Sequence, residues 1–301
     1  MIVTRILGGL GNQMFQYAMG RAMAHRIGTS LVLDTSWYDK GRPEGDACRS
    51  FGLDAFQIRA HVLPAVSGGI PEVIEPGKPC TFCLGSLPNK SDQADTTLIY
   101  LKQRRYPFDF HAMSASDGVY LDGFWQSEEH FNDVCDLIRS EFALSCPLSD
   151  EGEAINAIIL AKQSLAPLVS IHVRRGDYVT NPQTRAFHGC LDRSWYASAI
   201  HHMKQRFPEA SFVVFSDDIA WCRKVLPVCK QTLFVPSSRG SDAEDIVLMS
   251  RCTHHIIANS SFSWWGAWLN YERGKVVIAP RRWTSAACAE LSPVPAEWFT
   301  I

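Results

Sequence analysis

Residues 1–34 read MIVTRILGGLGNQMFQYAMGRAMAHRIGTSLVLD. An apolar run at 2–7 leads into glycines at 8, 9 and 11. Phe15, Ala18, Met19, Ala22 and Met23 then recur at helical spacing, and a second apolar run, Leu31–Leu33, ends on Asp34. Strand, glycine turn, helix and strand are the start of a doubly wound α/β sheet. The same order opens a dinucleotide fingerprint, whose glycines let backbone N–H groups approach a pyrophosphate at a helix N-terminus. Here the third glycine position holds Met14, which would crowd the close helix–strand packing of that fingerprint, and no Gly-Lys-Ser/Thr of a Walker loop follows. What survives is a diphosphate-friendly turn at Gly9, Gly11, Asn12 and Gln13, with a plain strand–helix turn as the alternative.

Working outward, the pattern dissolves over 41–94, where Pro64, Pro71, Pro76, Pro79 and Pro88 punctuate loops and short elements. Order returns with a strand at Val119–Trp125 and a helix at Glu128–Phe142. Cys146–Gly152 reads as a hinge, dividing the 301 residues into domains at 1–147 and 148–301. Beyond it, strands fit at 168–173, 211–216, 231–235, 254–258 and 275–279, with helices at 192–207, 218–226, 241–252 and 263–273. Ser241 and Glu244 form a capping-box pattern, in which each side chain satisfies an N–H of the helix start. Such alternation makes a parallel sheet, and parallel sheets hold ligands at the carboxyl ends of their strands.

Lys+Arg number 29 against 31 Asp+Glu, a net charge of −2, so no protein-wide field favours nucleic acid or an anionic membrane. No apolar run reaches transmembrane length, and Arg5 followed at once by glycines and amides is unlike a signal peptide. The expected location is cytoplasmic, at most at the inner face of the cell membrane. The ten cysteines follow no framework and read as reduced thiols; Cys80 and Cys83 alone have redox or zinc spacing, without a second pair.

Ser170–Tyr178 runs from a buried strand into Arg174, Arg175 and Asp177. A guanidinium fork binds phosphate bidentately; a loop-tying Arg–Asp salt bridge is the alternative. His172 shares a strand face with Arg174 by alternation, so it belongs either to the core or to a shared pocket. In Asn259–Trp265, Ser260 and Ser261 stand where a strand gives way to a helix, an anion cradle compatible with N-capping by Ser261 or Ser263. Asp245 lies in the first turn of helix 241–252. The helix dipole alone favours an acid there, and a carboxylate there could also accept from guanine. Asp217 and Asp218 suit a ribose or an arginine. No Asp-x-Asp occurs, so a leaving diphosphate would be neutralised by arginines, helix ends and N–H groups rather than by a metal.

Together these stretches resemble the bacterial α-1,2-fucosyltransferases, glycosyltransferase family 11. The carrying residues are Gly8–Gln16, Leu121–Ser127, His172–Tyr178, Phe187–Gly189, Phe215–Asp218 and Asp245 through Trp265, in the family's order. The resemblance implies two Rossmann-like α/β domains facing a cleft, the GT-B type. Residues 1–147 would be the acceptor side and 148–301 the GDP-fucose-binding domain. It implies inverting transfer of L-fucose from GDP-β-L-fucose to the 2-hydroxyl of a terminal galactose, without metal or cofactor, in synthesis of a bacterial surface glycan such as an O-antigen. The implied partners are GDP-fucose and a β-galactoside glycan, with no nucleic acid and only peripheral membrane contact through a lipid-linked acceptor. By resemblance Arg174 grips the β-phosphate, Asp245 reads guanine and Ser261 touches phosphate. Gly9, Gly11, Asn12, Gln13, His172, Ser260 and Phe262 complete the donor site. The general base stays open between Asp177, beside the arginines, and His188, in a stretch expected to be flexible. Two rivals remain: a nucleotide-dependent oxidoreductase resting on Gly9, Gly11 and Asp34, and a non-catalytic module whose nine tryptophans stack on sugars.

Overall fold

A computed structural model describes residues 1–39, 49–63, 79–83, 95–237, 241–285 and 292–301. The chain divides into two compact units, Met1–Ala143 and Leu144–Ile301, where the sequence reading divides it after residue 147. Each unit is built on a six-stranded sheet.

The first unit comprises β1 (Ile2–Arg5), α1 (Leu10–Ile27), β2 (Leu31–Asp34), β3 (His61–Leu63), β4 (Pro79–Cys83), β5 (Asp95–Lys102), α2 (Phe110–Met113), β6 (Val119–Asp122) and α3 (Cys135–Glu141). Its strand order is β3-β2-β1-β6-β5-β4, and only the β4–β5 pairing is antiparallel. The helix begins at Leu10, so Gly11, Asn12 and Gln13 lie in its first turn rather than in the preceding loop. Close helix–strand packing is made by Gly20. A Cβ there would stand 2.1 Å from Thr4 Oγ1 and 2.8 Å from Leu31 Cδ1. Met14, expected to hold the helix off the sheet, is instead fully buried. The helix expected at Glu128–Phe142 is two 3-10 turns, Glu128–His130 and Asn132–Val134, before α3, because Phe131 leaves the helical region at φ −142°. α3 is tied to α1 by Glu141, which accepts from Tyr17 and from Arg21 Nε and is buried. Most of 41–94 falls outside the described residues; Cys80 and Cys83 lie on β4.

The second unit comprises α4 (Asp150–Gln163), β7 (Leu168–Val173), α5 (Gly176–Thr180), α6 (Pro182–His188), α7 (Arg193–Arg206), β8 (Ser211–Ser216), α8 (Ile219–Val225), β9 (Leu233–Pro236), α9 (Asp242–Ser250), β10 (His254–Ile256), α10 (Ser261–Trp268), β11 (Val277–Ala279) and β12 (Phe299–Thr300). All pairings in the order β12-β11-β10-β7-β8-β9 are parallel. Val169, Ile171 and Val173 pack with Phe212, Val214 and the Tyr196, Ile200 and Met203 face of α7. On the other face, Ser170 Oγ lies 2.8 Å from His255 Nδ1, whose Nε2 lies 2.8 Å from Asn270 Nδ2. Asn270 also donates to the Cys252 carbonyl and accepts from Glu272 N. It therefore ends the polypeptide's turn back toward β10, and α10 stops at Trp268 instead of continuing to 273. Ser241 Oγ accepts from Glu244 N as the capping pattern requires, and the Glu244 carboxylate accepts from Ser149 N and Oγ, bracing the start of α4.

The second unit's sheet has a topological switch point. In the second unit the chain winds outward from β7 through β8 and β9 on one side, and from β10 through β11 and β12 on the other. Diverging connections open a crevice at the carboxyl ends of such a strand pair, which is where doubly wound sheets bind ligands. In the first unit the chain winds outward from β1 through β2 and β3 and returns inward from β4 through β5 to β6, so β1 and β6 are neighbours without diverging connections.

Candidate active site

At the second unit's switch point, β7 delivers His172 to its last turn and Arg174 just beyond. Two carboxylates hold the Arg174 fork: Nη2 donates to Asp177 Oδ1 at 2.6 Å, and Nη1 is 3.0 Å from Asp217 Oδ2. Arg175 turns away. Its Nε donates to Asp218 at 2.9 Å, its guanidinium covers the Trp221 ring at 4.3 Å, and its N–H donates to Asp217. Thus Asp217 and Asp218 orient the arginines, and Asp218 also caps α8 by accepting from Trp221 N. That N–H and Arg175 hold the Asp218 carboxyl below the usual range.

Asp177 lies on α5 and His188 ends α6. Asn181 accepts from Gln183 N and Thr184 N, and Pro182 occupies the first helical position, so the stretch expected to be flexible is a capped helix. The His188 ring stacks on Tyr178 at 4.8 Å and 7°. Its Nδ1 is buried without a hydrogen-bond partner. Burial, and secondarily Arg174, lower its pKa against the opposing pull of Asp177, so the imidazole is neutral at pH 7. Tyr178 OH donates to the Asn259 carbonyl, and Asn259 Nδ2 donates to the His188 carbonyl. Those two bonds lock the base candidates to the end of β10.

His172 is buried, its ring 5.4 Å from that of Phe262 in the first turn of α10. Burial and then Arg174 push its pKa down to about 3. Its Nδ1 also has no partner. The N-cap of α10 is Ser260, without a side-chain cap bond. Ser261 and Ser263 are therefore not caps, and Ser263 Oγ turns back toward the Ala258 and Ser260 carbonyls. The helix start thus presents its dipole with no side chain spent on it. Asp245 is 3% exposed in the first turn of α9.

In the first unit, Gly8 takes φ +79° and Gly9 is the N-cap of α1, again without a side-chain cap bond. Asn12 Oδ1 accepts from Gln126 Nε2 at 2.7 Å, tying the first turn of α1 to the segment after β6. Gln13, expected to bind the donor, is fully buried: its amide donates to the Gly8 and Ser50 carbonyls and its oxygen accepts from Gly52 N. Its side-chain hydrogen-bonding groups are spent on the fold. Asp34 is likewise structural, since it accepts from Tyr120 OH and Ser36 N and is 2% exposed. The oxidoreductase rival loses its ribose ligand with it. The site residues that sequence reasoning missed are Tyr178 and Gln126. Each stands inside a quoted motif, but the partner it orients is remote in sequence.

Among the described residues, no three His, Cys, Asp or Glu side chains are grouped to hold a metal ion, and no helix is long and apolar enough to cross a membrane.

Two α/β units, each on a largely parallel six-stranded sheet, are the architecture of the GT-B type. The chain belongs to glycosyl transferase family 11, whose profile matches residues 97–301. An alpha-1,2-colitosyltransferase of Escherichia coli is 34% identical over 100% of this chain and 98% of its own length. The galactoside 2-alpha-L-fucosyltransferase Sec1 of Mus musculus is 32% identical over 50% of this chain and 42% of its own. Among solved structures, the glycosyl transferase family 9 protein from Veillonella parvula shares the fold at a TM-score of 0.50 and 10% identity. That match covers 100% of this chain and 86% of the other.

Proposed function

We propose that the protein transfers L-fucose from GDP-β-L-fucose to the 2-hydroxyl of a terminal galactose, with inversion and without a metal, in the assembly of a bacterial surface glycan. The observation that carries the reading is the Arg174 fork, held ready by two acids beside the unspent N-terminus of α10. The leaving diphosphate displaces Asp177 and Asp217 from Arg174, and Ser260, Ser261 and the helix start share its charge. Asp245 accepts from guanine, and His172 and Phe262 wall the diphosphate.

As the bond from fucose C1 to the β-phosphate oxygen breaks, its electron pair stays on GDP. The acceptor oxygen bonds C1 from the opposite face and gives up its proton. Release from Arg174 makes the Asp177 carboxylate available for that proton. His188, neutral at pH 7, is the alternative base.

The relative matching at full length favours a second donor on the same site, GDP-colitose, which lacks the 3-hydroxyl of fucose. Initial rates with GDP-fucose, GDP-colitose and GDP-mannose on β-galactosides, with and without EDTA, test both. An α-1,2-linked fucosyl product identified by NMR supports the first reading. A kcat/KM higher for GDP-colitose reassigns the donor. A loss above about tenfold in EDTA that Mn²⁺ restores overturns the metal-free mechanism.

A further inference from the structure

The carboxyl end of β6 in the first unit carries a turn whose construction the donor reading leaves unexplained. At the end of β6, Asp122 is followed by Gly123, Phe124 and Trp125. Trp125 takes φ +54°, a left-handed conformation that is costly for a bulky residue, with its indole fully buried and Nε1 unpaired. Gln103 holds the turn: its Oε1 accepts from both Phe124 N and Trp125 N, and its amide donates to the Arg105 and Pro107 carbonyls. A Cβ on Gly123 would stand 2.5 Å from Gln103 Cβ. The outcome of this over-determined geometry is an exposed phenyl, Phe124 at 43%, two residues along the chain from an oriented carboxylate. Asp122 Oδ2 accepts from Tyr100 OH at 2.5 Å and Arg5 Nη1 at 3.1 Å, and Oδ1 accepts from none of the described residues.

We infer that Asp122 and Phe124 form the hexose subsite for the acceptor, Phe124 stacking on the apolar C–H face of a galactose ring while Asp122 Oδ1 accepts one of its hydroxyls. The assignment rests on the transferase reading. A pyranose offers one face of C–H groups and a rim of hydroxyls. In galactose the axial 4-hydroxyl leaves H3, H4 and H5 on one face. An aromatic platform two residues from a fixed acceptor matches that pattern, and both stand at the carboxyl end of a parallel strand, the end at which α/β sheets hold ligands.

The test uses the full-length protein. Phe124→Ala should raise the acceptor KM about 3- to 10-fold, the scale of one aromatic contact. The GDP-fucose KM and the melting temperature should stay unchanged, and Phe124→Trp should restore the acceptor KM. Saturation-transfer NMR with methyl β-D-galactopyranoside should show the strongest transfer at H3, H4 and H5, lost in Phe124→Ala. Asp122→Asn should raise the acceptor KM about tenfold or more, the scale of a lost charged hydrogen bond. An unchanged acceptor KM in Phe124→Ala, in an enzyme that fucosylates galactosides, overturns the subsite and leaves the transferase reading standing. A wild-type protein that glycosylates no galactoside overturns both.

Discussion

At Arg174 one planar fork spans two acids, with Nη2 on Asp177 and Nη1 on Asp217. Lysine offers a single point charge, so Arg174→Lys should fare nearly as badly as Arg174→Ala, with kcat down on the order of 10²–10³ at saturating donor. Retention of most turnover by the lysine variant would make the residue structural. Asp245 is buried, and its loss as an acceptor should cost GDP about 1–3 kcal/mol in affinity. Calorimetry on Asp245→Asn decides, with unchanged affinity returning it to helix-dipole service. The base is separated by pH. Asp177→Asn should lose about 10²-fold or more at every pH if its carboxylate takes the proton. If His188 does, its lowered pKa places the acid limb of the wild-type profile below pH 6.5, and His188→Gln removes that limb. At this scale the Arg174–Asp177 pair was legible, because its members are three positions apart. The Tyr178–His188 stack was not, since its members are ten positions apart and lie on different short helices.

Elements show where local pattern suffices. The strands β7 and β8 match their expected bounds because buried parallel strands are unbroken apolar runs. α4 stood outside the expected set although Ser149 caps it and Asp150, Glu151 and Glu153 fill its first turn. A linker-like Pro-Leu-Ser-Asp masked that signal. α5 and α6, of five and seven residues, are too short to show a period. Tertiary packing decided where glycine is needed. In α1 the requirement falls at Gly20, against Thr4, rather than at the fingerprint position. Gly20→Ala, favourable for an isolated helix, should therefore destabilise by about 1–3 kcal/mol through overpacking. A urea midpoint equal to wild type would show that the helix shifts freely off β1.

The whole molecule holds buried, neutral histidines in both units. Burial pushes His130 down to about 4 and His172 down to about 3. Unfolded, each titrates near 6.5, so the unfolded chain takes up the proton first. The stability they confer is fully present above pH 6.5. It falls as pH drops through 6.5 toward 4 and 3, by up to about 1.4 kcal/mol per histidine per pH unit. Urea unfolding at pH 7.5, 6 and 5 should show a steep fall over the lower interval, and a midpoint constant from 7.5 to 5 would contradict it. In His130 the cause is geometric as well. Nε2 lies 3.2 Å from the Asp109 N–H and Nδ1 faces the Trp125 carbonyl, so a second proton would face a donor.

Composition and periodicity determined the α/β class, the second unit's strands and the motifs that gather at strand ends, because burial imprints itself on contiguous residues. Tertiary structure alone decided which motif residues are free to act. Gln13 and Asp34 sit within the right pattern yet spend their polar atoms on the fold. Phe124 is exposed at a turn that Gln103 and a left-handed Trp125 hold. Hydrogen-bond accounts close between residues far apart in sequence, such as Gln13 with Ser50 or Asp34 with Tyr120, and no local pattern records such pairings.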